Sequence, residues 1–128
     1  MSYIKKNLQS FSLLSNVFYL IPLFFVKSGT YVLAICVVGL FIFSTGYHLY
    51  KSRFFTWADI ASALIVVIVC IINILTNKIS GIFLVTIITS VVLGLLIRYF
   101  YEDGTRDDVA HGFWHLCIAT SITFCFLI

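Results

Sequence analysis

YVLAICVVGLFIFSTGYHLY, residues 31–50, decides the fold of this chain. The stretch holds no Asp, Glu, Lys or Arg. At about 1.5 Å per residue, a helix of about 20 residues covers the ~30 Å hydrocarbon core of a bilayer. Only towards its end does the run turn polar, at Ser44, Thr45 and His48. Working outward, four further apolar runs occupy about 8–26, 57–75, 79–98 and 109–128, divided by short polar breaks. The expectation is an all-α integral membrane bundle of five transmembrane helices in a single domain, 1–128. The first run is the most interrupted, by Ser12, Ser15, Asn16 and Pro22. Lys5 and Lys6 ahead of it resemble the start of a secretory signal. No small-x-small cleavage pattern precedes Lys27, so the run reads as a retained helix.

Composition agrees. Of 128 residues, 62% are hydrophobic and 10% charged, and the mean hydropathy is +1.12. A soluble domain of this length could not hide that much apolar surface. The net charge of +3 comes without a basic patch interleaved with aromatics, so nucleic acid is not an expected partner. Cys36, Cys70, Cys117 and Cys125 lie inside apolar runs without CxxC spacing. They read as packing residues rather than as disulfides or a thiolate zinc site.

The breaks at 27–30, 51–56 and 76–78 are short, which makes sequential helices antiparallel neighbours. The longest, 99–108, carries Glu102, Asp103, Arg106, Asp107 and Asp108 and reads as a solvated loop, with Asp107 or Asp108 capping the fifth helix. Lys5, Lys6, Lys51, Arg53, Arg98 and Arg106 fall on the N-terminal side of the bundle, against Lys27 and Lys78 on the other. That bias places the N-terminus in the cytoplasm and the C-terminus outside it. Phe54, Phe55, Trp57, Tyr99, Phe100 and Tyr101 form an interfacial aromatic belt on the same side. Gly39, Gly46, Gly81 and Gly94 read as helix-contact residues.

Histidine and aspartate are expensive within a membrane, and each one there is a functional candidate. The chain has three histidines: His48 near the end of the second run, His111 and His115 in the first turns of the fifth. Asp59 opens the third. In the antiparallel topology all four fall in the cytoplasmic half, within about two turns (~10 Å) of the interface. His111 and His115 are spaced i, i+4 and share a helix face; Ser44 and His48 do the same. Three neutral imidazoles with one open position make the donor set of a catalytic zinc, Zn2+. A nearby carboxylate could take a proton from water, and a serine hydroxyl could hold that water or an oxyanion. Against this, a lone membrane histidine is more often a packing residue, Ser44 could bond its own helix backbone, and Asp59 could serve only the helix dipole. Trp114 packs or lines the mouth of the site. Convergence of three histidines and an aspartate favours the metal.

The pattern Ser44-x3-His48, then Asp59, then His111-x3-His115 in the last helix resembles the CREST superfamily. That group includes alkaline ceramidases, progestin/adipoQ receptors and GPI-remodelling membrane phospholipases. The stretches FSTGYHLY, ADIASAL and HGFWHLCIA carry the resemblance, most closely to the phospholipase-like and ceramidase branches. It implies zinc on His48, His111 and His115, Asp59 acting on the zinc-bound water, Ser44 supporting the site, and a membrane lipid cleaved at an amide or acyl ester. Two departures stand out. The family usually has seven helices and this chain five, so the lipid cavity is expected to be smaller or completed by a second copy in a homo-oligomer. An acidic N-terminal calcium-site motif of the ceramidase kind is also missing, which counts against ceramide as the substrate. Two other classes fit the sequence. One is a non-catalytic metal-binding receptor or structural module. The other is a haem-binding electron-transfer protein with His48 and a second histidine as axial ligands.

Overall fold

The computed structural model describes residues 11–77, 80–101 and 107–128, and among them the chain is helical without strands. A short helix α1 (Phe11–Ser15) runs on as a 3-10 helix (Asn16–Phe25). Four long helices follow: α2 (Tyr31–Tyr50), α3 (Arg53–Thr76), α4 (Gly81–Tyr101) and α5 (Asp107–Leu127). Three helical segments, Tyr31–Tyr50, Arg53–Thr76 and Val109–Leu127, are long and apolar enough to cross a membrane. The stretches Phe11–Phe25 and Gly81–Ile97, the latter the part of α4 whose side chains are described, are apolar as well.

The second run matches α2 end to end, and the other boundaries move. Within the described residues the first run is not a continuous α-helix. Pro22 has no N–H to give to an α-helical ladder, and the chain around it takes the tighter i, i+3 winding instead. That winding closes with Val26 N–H donating to the Leu23 carbonyl at 3.4 Å. A 3-10 helix rises about 2.0 Å per residue, so this short rod reaches roughly 27 Å end to end, where an α-helix of the same residues would reach about 22 Å.

α3 begins four residues earlier than the apolar pattern places it. Ser52 caps it, accepting from Phe55 N–H at 3.3 Å. The linker from α2 therefore shrinks to Lys51 and Ser52, and Asp59 lies in the second turn of α3 rather than at its opening. Lys51 turns the corner in the left-handed region (φ 47°), its N–H closing α2 on the Tyr47 carbonyl. Replacing Ser52 by alanine removes the cap, and an expected loss of about 1 kcal/mol should appear in reversible unfolding in mixed micelles. α5 starts at Asp107, which puts Asp107 and Asp108 inside its first turn rather than ahead of it. The remaining expectations for 102–106, Lys5, Lys6, Lys78 and the side chains of Arg98, Phe100 and Tyr101 lie outside the described residues.

Contacts at the two ends give the helix directions. At one end Phe55 of α3 lies against Gly46 of α2, and the His48 ring lies 5.1 Å from that of His111. At the other, Asn73 of α3 donates to the Cys125 carbonyl at 2.6 Å, and Lys27 Nζ donates to the Leu127 carbonyl at 3.2 Å. So α2 runs opposite to α3 and α5, while the N-terminal rod runs parallel to α5. Ser121 reaches back to the Ile87 carbonyl at 3.4 Å, and Gly94 faces Trp114, which makes α4 antiparallel to α5.

Sequential packing holds for α2 with α3 and for α4 with α5, but it fails between α3 and α4. Those two helices are joined at one end and stand apart along their length. The N-terminal rod fills the centre instead, against α5 and α2. Val37, Leu40, Val66, Ile122 and Phe126 meet in the core. An 18-residue stretch of α3 has a mean hydropathy of 2.6 with only 11% of it buried, so most of its apolar surface faces outward. Such a surface suits lipid, where tight helix contact comes from small residues rather than from hydrophobic drive. Gly46 and Gly94 play that part, since a Cβ at either would overlap the Phe55 or Trp114 ring. Gly39 and Gly81 face open space and do not.

Candidate metal centre

His48 sits in the last turns of α2, and His111 and His115 sit in the first turns of α5. The antiparallel course of these helices brings all three to one end of the bundle. The ring centroids are 5.1 Å (His48 to His111), 5.4 Å (His48 to His115) and 4.8 Å (His111 to His115) apart. The three planes are nearly perpendicular to one another, at 78° to 88°. One ligand nitrogen from each lies within 4.8 Å of the others, close enough for the three to hold a single metal ion. His48 and His115 are buried, His111 is half-buried, and no acid or thiol joins the group among the described residues. An all-imidazole donor set suits zinc, copper, iron or nickel. The hard oxygen-seeking ions magnesium and calcium are poorly matched to it.

A cavity of about 510 Å³ opens beside the cluster, between α3 and the α4–α5 pair. Its polar end is lined by Ser44, Asp59, His111, Trp114 and His115. From there it runs between α3 and α5, past Ile60 and Val67 to Ile74 and Cys125. At 1.5 Å per residue, the fifteen steps of α3 from Asp59 to Ile74 make it roughly 22 Å long. That exceeds the ~15 Å of one bilayer leaflet. The volume lies within the roughly 300–1,000 Å³ of small-molecule sites. The cavity is partly open to the surroundings of the bundle.

Ser44, Asp59, His111 and His115 thus share one cavity, with Asp59 half-buried on its wall. His48 stands behind the other two rings, against Tyr47 and Ser12, and does not line the cavity. Trp114 lines the polar end. The buried Ser44 hydroxyl donates to Asn16 Oδ1 at 3.1 Å. With its proton committed there, its lone pairs remain for an incoming donor.

The sequence reading did not identify the residues that support the histidines. Ser15 Oγ lies 2.8 Å from His115 Nδ1, and Ser12 Oγ lies 3.4 Å from His48 Nδ1. Asn16 holds Ser44 and reaches Thr45 Oγ1 at 3.5 Å. The Tyr19 ring lies 5.2 Å from that of His115. Gly112 admits the N-terminal rod, since a Cβ there would overlap the Phe11 ring and come within 3.2 Å of Ser15 Oγ. A signal was available. Ser12, Ser15, Asn16 and Tyr19 recur at i, i+3, i+4 and i+7, a polar stripe on one helix face. Within a membrane, such a stripe has to meet other polar groups inside the bundle.

Comparison with protein-family models, curated proteins and solved structures finds no match to this chain.

Proposed function

We propose that this chain is a zinc-dependent intramembrane hydrolase that cleaves an amide or acyl ester bond of a membrane lipid, as its resemblance to the CREST superfamily implies. The observation that carries the reading is the union of two features. Three histidines gather around one point, and that point is the polar end of a long apolar cavity with a carboxylate on its wall. Metal-binding groups alone would serve a structural site. An apolar slot longer than one leaflet and partly open to its surroundings adds a place for an acyl chain to enter from the bilayer.

His48, His111 and His115 hold the ion. Zinc held there would supply Lewis acidity and make a nearby water easier to deprotonate. Asp59 accepts the proton of the attacking water on its carboxylate and returns it to the leaving amine or alkoxide, the general base then general acid of an acyl transfer. Ser44, its own proton held by Asn16, accepts a hydrogen bond from the water and orients it. The apolar walls between α3 and α5 exclude bulk water and bind the chain. By the six-to-two excess of Lys and Arg, this end of the bundle faces the cytoplasm.

Protein purified in detergent without chelators is expected to carry one zinc per chain and to release fatty acid from a member of a panel of ceramides, lysophospholipids and diacylphospholipids. Zinc without turnover on any member would favour a metal-holding receptor or structural module. Protein that binds no metal when dialysed against micromolar zinc would overturn the reading.

A further inference from the structure

We infer that Ser15 is a positioning residue whose hydroxyl holds His115 in the tautomer with its proton on Nδ1, which leaves Nε2 with the lone pair a metal needs; the use of that lone pair rests on the zinc reading above. Ser15 Oγ has two partners, the Ser12 carbonyl at 2.8 Å and His115 Nδ1 at 2.8 Å. A backbone carbonyl can only accept, so the hydroxyl proton points to Ser12. Oγ then has only lone pairs to offer His115, and Nδ1 must be the donor. A neutral imidazole carries one N–H, so Nε2 is bare.

The surroundings make this assignment durable. Ser15 and His115 are each 2% exposed, so water cannot compete for either group. Ser15 is fixed from behind by its bond within α1 and from the side by Gly112, the one residue type that lets the rod approach α5 this closely. Gly112 lies between the two histidines of α5, so one small residue sets both the helix approach and the hydrogen bond. Ser12 stands one turn earlier on the same face and meets His48 Nδ1 at 3.4 Å, a longer contact of the same kind. The N-terminal rod thus supplies outer partners to two of the three rings. Outer partners of this sort fix ring orientation and ligand basicity at metal sites.

The test reads the tautomer directly. In metal-free protein with 15N-labelled histidine, at a pH where the rings are neutral, the two ring-nitrogen shifts show which atom bears the proton. Loss of a signal pair in His115→Gln assigns the ring. The wild type is expected to show His115 protonated on Nδ1. Ser15→Ala should move the proton to Nε2 or mix the two forms, and Ser15→Thr, which keeps the hydroxyl, should restore the wild-type pattern. Competition with a zinc chelator should show affinity falling about 10- to 100-fold in Ser15→Ala, the loss typical of an outer partner. A wild-type His115 ring protonated on Nε2 overturns the inference, and this spectrum decides even if Ser15→Ala or Ser15→Thr fails to fold. So does a Ser15→Ala spectrum identical to the wild type. If the wild type shows Nδ1–H yet takes up no zinc, the role of Ser15 stands and only the metal reading falls.

Discussion

His111→Ala protein is expected to fold, keep its helical content and, on the proposed reading, lose both zinc and lipid hydrolysis. Among the three histidines this one separates metal binding from folding most cleanly. His48 and His115 are buried, and each contacts a serine of the N-terminal rod. Truncating either removes the ring that its serine meets and leaves a void in the interior, which destabilises the fold. His111 is half-buried and already faces the cavity, so its removal only enlarges an existing space. The loss therefore falls on the ion. Two imidazoles on different helices remain, and affinity should drop by more than the 10- to 100-fold seen when an outer partner is removed. Metal content by mass spectrometry, with circular dichroism on the same sample, checks both halves. One zinc per chain retained in His111→Ala would remove this histidine from the site.

What the sequence made legible, and what it did not, divides along physical lines. The helical bundle was readable because long apolar runs have only one use for their backbone groups in lipid, the intrahelical bond. The second run even fixed both its ends, since charge or a turn signal bounds it on each side: Gly29 with φ 92° before it and Lys51 after it. The convergence of His48, His111 and His115 followed from helix order alone, because end-to-end direction needs only a count of crossings. Lateral packing is another matter. Short loops tie helix ends together but say nothing about the rest of their length, and α3 and α4 diverge despite their short linker. The N-terminal rod was the hardest element to read. Ser12, Ser15, Asn16 and Pro22 weakened its apolar pattern, and the three polar ones are the residues that reach the site. An interruption in a membrane run is a polar group in want of a partner, and here the partners lie up to a hundred residues away in sequence.

Asp59→Asn should separate chemistry from binding. The substitution keeps the shape of the side chain and replaces a carboxylate oxygen with an amide group that cannot take a proton. Asp59 is outside the histidine group, so zinc should stay at one per chain. It shares the cavity wall with His111 and His115, where the attacking water must lie if the acyl carbonyl is to meet the metal. Losing a positioned general base costs about 10²- to 10⁴-fold in rate. That loss should appear in kcat and kcat/KM alike, because the proton moves only in the transition state. The apolar walls that hold the chain are untouched, so KM should change little. Turnover within threefold of the wild type would mean that water finds another base and would remove Asp59 from the mechanism. A parallel fall in zinc content would make Asp59 a support of the metal instead. The expected outcome, full metal with turnover down at least a hundredfold, is one a structural or receptor role for the same histidines has no reason to produce.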